Sequence, residues 1–147
     1  ELTIAGSYRR KCKDSGDIDV LLKTPSVKNS RIYKNFIEKL VEIKYIVETL
    51  SLGNKKFMGI CQEKGGFAKR IDIMYTKPEE YPFAILYFTG SKEFNTNMRS
   101  DLLSKGLSLN EYSLKDSSTK KPVEHVFEIE QDIFDYINYE YVEPQKR

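Results

Sequence analysis

The stretch Asp17-Ile18-Asp19-Val20-Leu21-Leu22 constrains this chain more than any other. Two acids alternate with apolar residues and run into an aliphatic tail. A β-strand places residues i and i+2 on one face, roughly 6.5–7 Å apart. Asp17 and Asp19 therefore point together, while Ile18 and Val20 turn toward a core. Paired carboxylates repel when both are ionised, and a bound divalent cation relieves that repulsion. Just upstream, Gly6-Ser7 offers unhindered backbone and a hydroxyl, and Arg9, Arg10, Lys11 and Lys13 supply positive charge. The residues call for a metal and a phosphate.

A further acid joins them. Lys69-Arg70-Ile71-Asp72-Ile73-Met74-Tyr75 is again a basic pair leading into an alternating strand, with Asp72 facing out between inward-facing isoleucines. If the two strands are neighbours, the carboxylates converge. They can then hold two Mg²⁺ ions about 3.5–4 Å apart, the spacing that serves in-line phosphoryl displacement.

Charge distribution sharpens the expectation of a polyanionic partner. The net charge is only +2. Basic residues nonetheless cluster at 9–13, 55–56 (Lys55, Lys56), 69–70 and 119–121, whereas Glu124 to Glu143 carries acids and no Lys or Arg. A polyanion binds the first face and avoids the second. No apolar run approaches the ~20 residues needed to cross a bilayer, so no membrane partner is expected. Cys12 and Cys61 lack zinc-site spacing and are too few for a disulfide framework, which suits a reducing intracellular setting.

Along the chain the expected class is α+β. Residues 1–5 form a strand, Pro25-Ser26 a turn, and Ser30 caps a helix with Ile32, Tyr33, Phe36, Ile37, Leu40 and Val41 on its apolar face. Two β-rich runs, Tyr45–Leu50 and Phe57–Gln62, flank the hairpin signal Leu52-Gly53-Asn54. Gly65-Gly66 turns the chain into the Asp72 strand. Lys77-Pro78 is the expected boundary between a unit over 1–77 and one over 78–147, with Pro78 opening a helix. An apolar segment from Phe83 to Phe88 ends at Thr89-Gly90, and Ser91 caps a helix closed by Gly106. Short strands follow near 107–109 and 112–114, then a helix over 130–138. Tyr87, Phe88, Thr89 and Gly90 set aromatic rings and flexible backbone at a helix junction, a plausible nucleotide wall. Asn95 and Arg99, four apart, share a helix face. His125, the sole histidine, reads as a loop or packing residue.

Gly6-Ser7-Tyr8-Arg9-Arg10, Ser15-Gly16-Asp17-Ile18-Asp19-Val20-Leu21-Leu22, Lys56-Phe57-Met58-Gly59, Arg70-Ile71-Asp72-Ile73, Tyr87-Phe88-Thr89-Gly90-Ser91, Asn95-Thr96-Asn97-Met98-Arg99 and Asn110-Glu111-Tyr112 follow one another in the order found in family X DNA polymerases. The chain resembles that family, its beta-type members above all, over nearly its whole length. The resemblance implies a nucleotidyltransferase palm, a mixed sheet with helical cover, followed by a small α/β thumb. It implies a DNA-directed DNA polymerase that fills gaps in DNA repair, acting on primer-template or gapped DNA and a dNTP. Two Mg²⁺ ions, or Mn²⁺ in their place, would be held by Asp17, Asp19 and Asp72. It further implies that Gly6, Ser7, Arg10, Ser15 and Gly16 bind the nucleotide phosphates. Tyr87, Phe88, Thr89, Gly90 and Asn95 would meet its sugar and base, Arg70 would stand beside Asp72 and the primer end, and Lys55, Lys56, Arg99, Glu111 and Tyr112 would serve DNA contact and closure. A monomer is expected, nuclear in a eukaryote, and the chain is expected to be the C-terminal piece of a longer protein. Lys92 and Thr96 depart from the family pattern, which has an acid and often a lysine there, and the loop Glu63–Phe67 is shorter than in vertebrate members. Template-independent nucleotide addition, or a non-catalytic nucleic-acid-binding role, remain the alternative readings.

Overall fold

The computed structural model describes residues 1–25 and 30–147, Ser30 by its backbone alone. The expected turn at Ser26 and the side-chain cap by Ser30 lie outside what is described. A five-stranded mixed sheet runs in the order β1-β2-β5-β4-β3, formed by β1 (Leu2–Ile4), β2 (Asp17–Lys23), β3 (Ile46–Leu52), β4 (Lys56–Cys61) and β5 (Lys69–Thr76). Neighbours pair antiparallel except β2 and β5, which are parallel, with Asp17 opposite Arg70 and Asp19 opposite Asp72. The α+β class expected from the sequence is thus the one observed.

Both faces of the sheet are covered, and for different reasons. Helix α2 (Ser30–Glu42) lays Tyr33, Phe36, Ile37 and Leu40 over Val20, Leu22, Phe57, Ile71 and Ile73. Ile32 and Val41, expected on that apolar stripe, are 40% and 45% exposed; the stripe is narrower than the spacing suggested. On the other face, α3 (Tyr81–Thr89) sets Ala84 and Ile85 against Ala5, Leu21 and Met74. The same helix turns Phe83 and Leu86 the opposite way, into a core with Met98, Leu102, Leu109, Leu114, Ile133 and Phe134. A helix apolar all round is one buried on both sides. That is why α3 can join the two halves.

Several boundaries move from their expected places. Gly6–Arg9, for which the spacing named no element, forms a one-turn helix, α1, between the first two strands. Pro78 does not open α3: residues 78–80 form a turn, and the helix begins at Tyr81 with Pro82 at its start, where a missing N–H costs nothing. Helix α4 (Lys92–Ser104) begins as expected, with the Ser91 side chain accepting from the Phe94 N–H at 3.2 Å. Gly106, just past its end, takes φ +80°, the left-handed geometry that suits glycine. Met98 and Leu102 are its buried residues, while Leu103 is 60% exposed. Strand β6 (Leu107–Leu109) pairs with β7 (Leu114–Asp116), two residues later than expected because Asn110 Oδ1 accepts from the N–H groups of Tyr112 and Ser113 and extends the turn. Helix α5 spans Glu130–Tyr136, with Asp132 Oδ2 accepting from the N–H groups of Glu128 and Ile129.

The acidic run from Glu124 to Glu143 is not simply a solvated face. Glu130 is buried, bound by Arg9 of α1 at 2.9 Å and by the guanidinium of Arg147, with Tyr141 donating at 3.1 Å. Burial alone would push the Glu130 carboxyl up, but the hydrogen bonds from Arg9 and Arg147 hold it below its ordinary value. Arg147 lies between the rings of Phe94, Phe134 and Tyr141, each centroid 5.4 Å from its guanidinium carbon. His125 packs against Phe127 and Tyr136, as a packing residue does.

Candidate active site

Three backbone features bring the acids together. The period of β2 puts Asp17 and Asp19 on one face. The parallel register sets Asp72 beside Asp19. The third is Gly6. Its φ is +55°, and a Cβ built on it would stand 1.9 Å from Asp19 Oδ2. Only a residue without a side chain lets α1 approach the carboxylate so closely.

The electrostatics follow from this crowding. Burial, then the charges of Asp72 and Asp17, push the Asp19 carboxyl up to about 6, with Arg10 and Arg70 opposing. Arg70 takes up the strain at Asp72, donating from one guanidinium nitrogen to both carboxylate oxygens at 3.0 and 3.1 Å. The Nε of Arg70 is buried with no hydrogen-bond partner among the described residues.

Oxygen-only donors of this charge suit a hard cation such as Mg²⁺, and a cation would relieve the repulsion felt at Asp19. The arrangement is not a closed site, however. Among the described residues no three His, Cys, Asp or Glu side chains stand together as a metal-binding group. Arg70 already occupies Asp72. The donor set suits such an ion in charge and atom type, with the Arg70 guanidinium standing in a cation's place at Asp72.

Beside the acids lies a cleft of about 380 Å³, whose lining includes Arg10, Asp19, Asp72, Tyr87, Phe88 and Asn95. Gly6, Gly90 and Arg99 also line it, as do Lys92 and Thr96, the two departures noted in the sequence. Asn95 Nδ2 donates to the Tyr87 carbonyl at 2.8 Å, and the rings of Tyr87 and Phe88 stack at 6.3 Å. Thr89 is placed differently. It is fully buried: its hydroxyl donates to the Ile85 carbonyl and accepts from Arg9, and its carbonyl accepts from Arg10. Its side chain ties α1 to the end of α3 rather than lining the cleft. Ser7 donates to Ser15 at 2.8 Å, and Gly16 is exposed just before Asp17; none of the three lines the cleft.

The residues expected to meet DNA form one cluster that bridges the halves. Lys56 of β4 bonds Glu111 at 2.9 Å, and Arg99 of α4 reaches the other oxygen of Glu111 at 3.8 Å. Both cations also stand over the Tyr87 ring, at 5.2 and 4.9 Å from its centroid. Burial alone would raise Glu111, but the Lys56 hydrogen bond and the nearby charges hold it low; Lys56 is raised by the same bond against its own burial. Lys55 bonds Glu80 and lies 4.3 Å from the Tyr112 ring centroid. The sequence reading missed the Arg9–Glu130–Arg147 cluster, and spacing alone carried no signal for it.

Comparison with known proteins gives a consistent picture. The palm model of DNA polymerase beta matches residues 1–78, and its thumb model matches residues 84–147. The chain is 30% identical to DNA polymerase lambda of Rattus norvegicus over 97% of its length, spanning 28% of that protein. It is 24% identical to DNA polymerase lambda of Arabidopsis thaliana, of which it spans 31%. It is 26% identical to the repair DNA polymerase X of African swine fever virus (isolate Tick/South Africa/Pretoriuskop Pr4/1996), spanning 78% of it. The chain thus covers less than a third of either lambda polymerase.

Proposed function

Because this chain belongs to family X of the DNA polymerases, the family of DNA polymerase beta, we propose that it adds a deoxynucleotide to a primer 3′-hydroxyl opposite a template base, filling gaps in DNA repair. The observation that carries the reading is the register of β2 and β5, which lays Asp72 beside Asp19 under the backbone of Gly6.

In this mechanism Asp17, Asp19 and Asp72 would hold two Mg²⁺ ions, or Mn²⁺ in their place, and such ions would supply a lowered pKa at the attacking hydroxyl and neutralisation of the triphosphate charge. Arg70 guards Asp72 and must release it before the site closes. Arg10, with Ser7, Ser15 and the backbone of Gly6 and Gly16, holds the β- and γ-phosphates. Tyr87, Phe88, Gly90 and Asn95 wall the sugar and base, and Thr89 positions that wall through its bonds to Arg9 and Arg10. Lys55, Lys56 and Arg99 exchange their carboxylate partners for DNA phosphates, while Glu111 and Tyr112 couple that exchange to movement of the second half. The palm is taken as 1–77 and the nucleotide-selecting unit as 78–147. The protein acts as an intracellular monomer, nuclear in a eukaryote, and among its described residues no helix is long and apolar enough to cross a membrane.

Primer extension on gapped DNA, with each dNTP supplied singly, tests the reading. The expected result is Mg²⁺-dependent addition of the complementary nucleotide alone; addition without regard to template would replace this reading with a terminal-transferase type. Asp19→Asn should abolish extension. It should also raise thermal stability by about 1 kcal/mol at neutral pH, because a repelled, partly buried charge is removed, with solvent screening keeping the gain small. Loss of activity together with loss of stability would instead mean misfolding.

A further inference from the structure

Residues 62–68, between β4 and β5, carry the most exposed large hydrophobic side chain among the described residues: Phe67 is 92% exposed. The loop is shaped without it. The Gly66 N–H donates to the Glu63 carbonyl at 2.9 Å, Gln62 Nε2 donates to the Gly66 carbonyl at 2.8 Å, and Gly65 takes a φ of +79°. Phe67 is thus held out by a turn that its own packing does nothing to maintain. Behind it lies a cleft of about 310 Å³, lined among others by Ile18, Tyr45, Glu63 and Lys69. Clefts of this size lie at the low end of those that take small organic groups. Lys69 lines this cleft with Phe67, Lys64 lines the neighbouring one three residues before the ring, and neither has a carboxylate partner among the described residues.

An open aromatic face with unpaired ammonium groups beside it is the combination that binds single-stranded nucleic acid: the ring stacks a base and the cations follow the phosphates. Glu63, the acid in the cleft lining, can accept from an exocyclic base amino group. The loop also runs directly into Lys69, Arg70 and Asp72 on β5. We propose that loop 62–68, with Lys69 at the start of β5, is a binding site for an unpaired nucleotide of DNA, with its base stacked on Phe67 over this cleft and its phosphates held by Lys64 and Lys69. The inference goes beyond the polymerase reading and rests on it only for the class of polymer.

The test is fluorescence anisotropy with a short, fluorescein-labelled single-stranded oligodeoxynucleotide of mixed sequence. Phe67→Ala should weaken binding about tenfold, within the range of a lost base–aromatic stack, and Phe67→Trp should restore it. Its melting temperature should match the parent, since the ring lies outside every core. Lys64→Ala with Lys69→Ala should weaken binding and flatten its dependence on salt. Unchanged oligonucleotide affinity in Phe67→Ala overturns the proposal. So does full rescue by Phe67→Leu, which cannot stack, or an oligomer seen in sedimentation that depends on Phe67 while oligonucleotide binding does not. The polymerase reading is tested separately by gap extension. A parent protein that fails to extend but loses single-strand binding in Phe67→Ala would sink that reading and leave this one standing.

Discussion

A single hydrogen in place of a methyl group at position 6 decides whether the acidic site can form. The backbone of Gly6 passes so close to Asp19 that any Cβ would overlap the carboxylate, and its φ of +55° already disfavours an L side chain. Gly6→Ala therefore must push α1 away or turn Asp19 aside. The expected outcome is a loss of about 1–3 kcal/mol in chemical denaturation, typical of a forced backbone or core clash, together with loss of gap extension. A protein as stable and as active as the parent would show that the close approach is not needed. Thr89 makes a related point. The sequence placed it in a nucleotide wall because its neighbours suit one. Its hydroxyl and carbonyl are instead spent inside the protein, on Ile85, Arg9 and Arg10.

The elements differ in how openly the chain advertises them. Helix α4 begins where a serine precedes a polar, helix-favouring run, and the Ser91 side chain accepts from the Phe94 N–H as such residues do. Ser91→Ala should cost about 1 kcal/mol of stability, measurable as a lower denaturation midpoint; no change would mean that the bond adds nothing. Helix α3 was legible as an apolar segment but not as a bridge. Nothing in Phe83–Phe88 says which residue faces which core, because every side is apolar. Its start was misplaced for a local reason: two prolines, Pro78 and Pro82, each suit a first turn, and only packing of Tyr81 and Phe83 against their neighbours selects the second. Strand β2 is the opposite case. Period-two alternation names its two faces unambiguously, and the structure keeps them.

For the molecule as a whole, the decisive contact is Arg9–Glu130–Arg147, which joins the one-turn helix beside the acids to the last helix across a separation of 121 residues. Removing one partner of a buried ion pair leaves a charge without compensation, at a cost of about 3–5 kcal/mol. Glu130→Met should lower stability on that scale, because the fully buried Arg147 guanidinium and Arg9 are then left without a carboxylate, and Arg147→Ala should cost less, since Arg9 still pairs with Glu130; equal losses would contradict the account. The folded-state pKa of Glu130 lies below its ordinary 4.5, so this carboxylate stabilises the fold above its unfolded-state pKa. That stabilisation is lost as pH falls from about 4.5 through the lower folded value. Glu130→Gln should thus lose stability at neutral pH and show a weaker further loss on acidification than the parent, read from denaturation midpoints between neutral pH and about pH 3. The acidic tract that looks in sequence like one repelling face is therefore divided. Part is solvated, and one member anchors the core.

What the chain determined by itself was local: period-two strands that pair Asp17 with Asp19, a serine cap, turn glycines, and motifs whose order marks a polymerase family. These are legible because backbone sterics and side-chain alternation act over a few residues. Tertiary structure alone decided that β5 lies parallel to β2 with Asp72 level with Asp19, that Gly6 touches that carboxylate, and that Glu130 is buried between two arginines. Those contacts join residues far apart in sequence, and no local spacing can select a partner when many chemically equivalent ones exist.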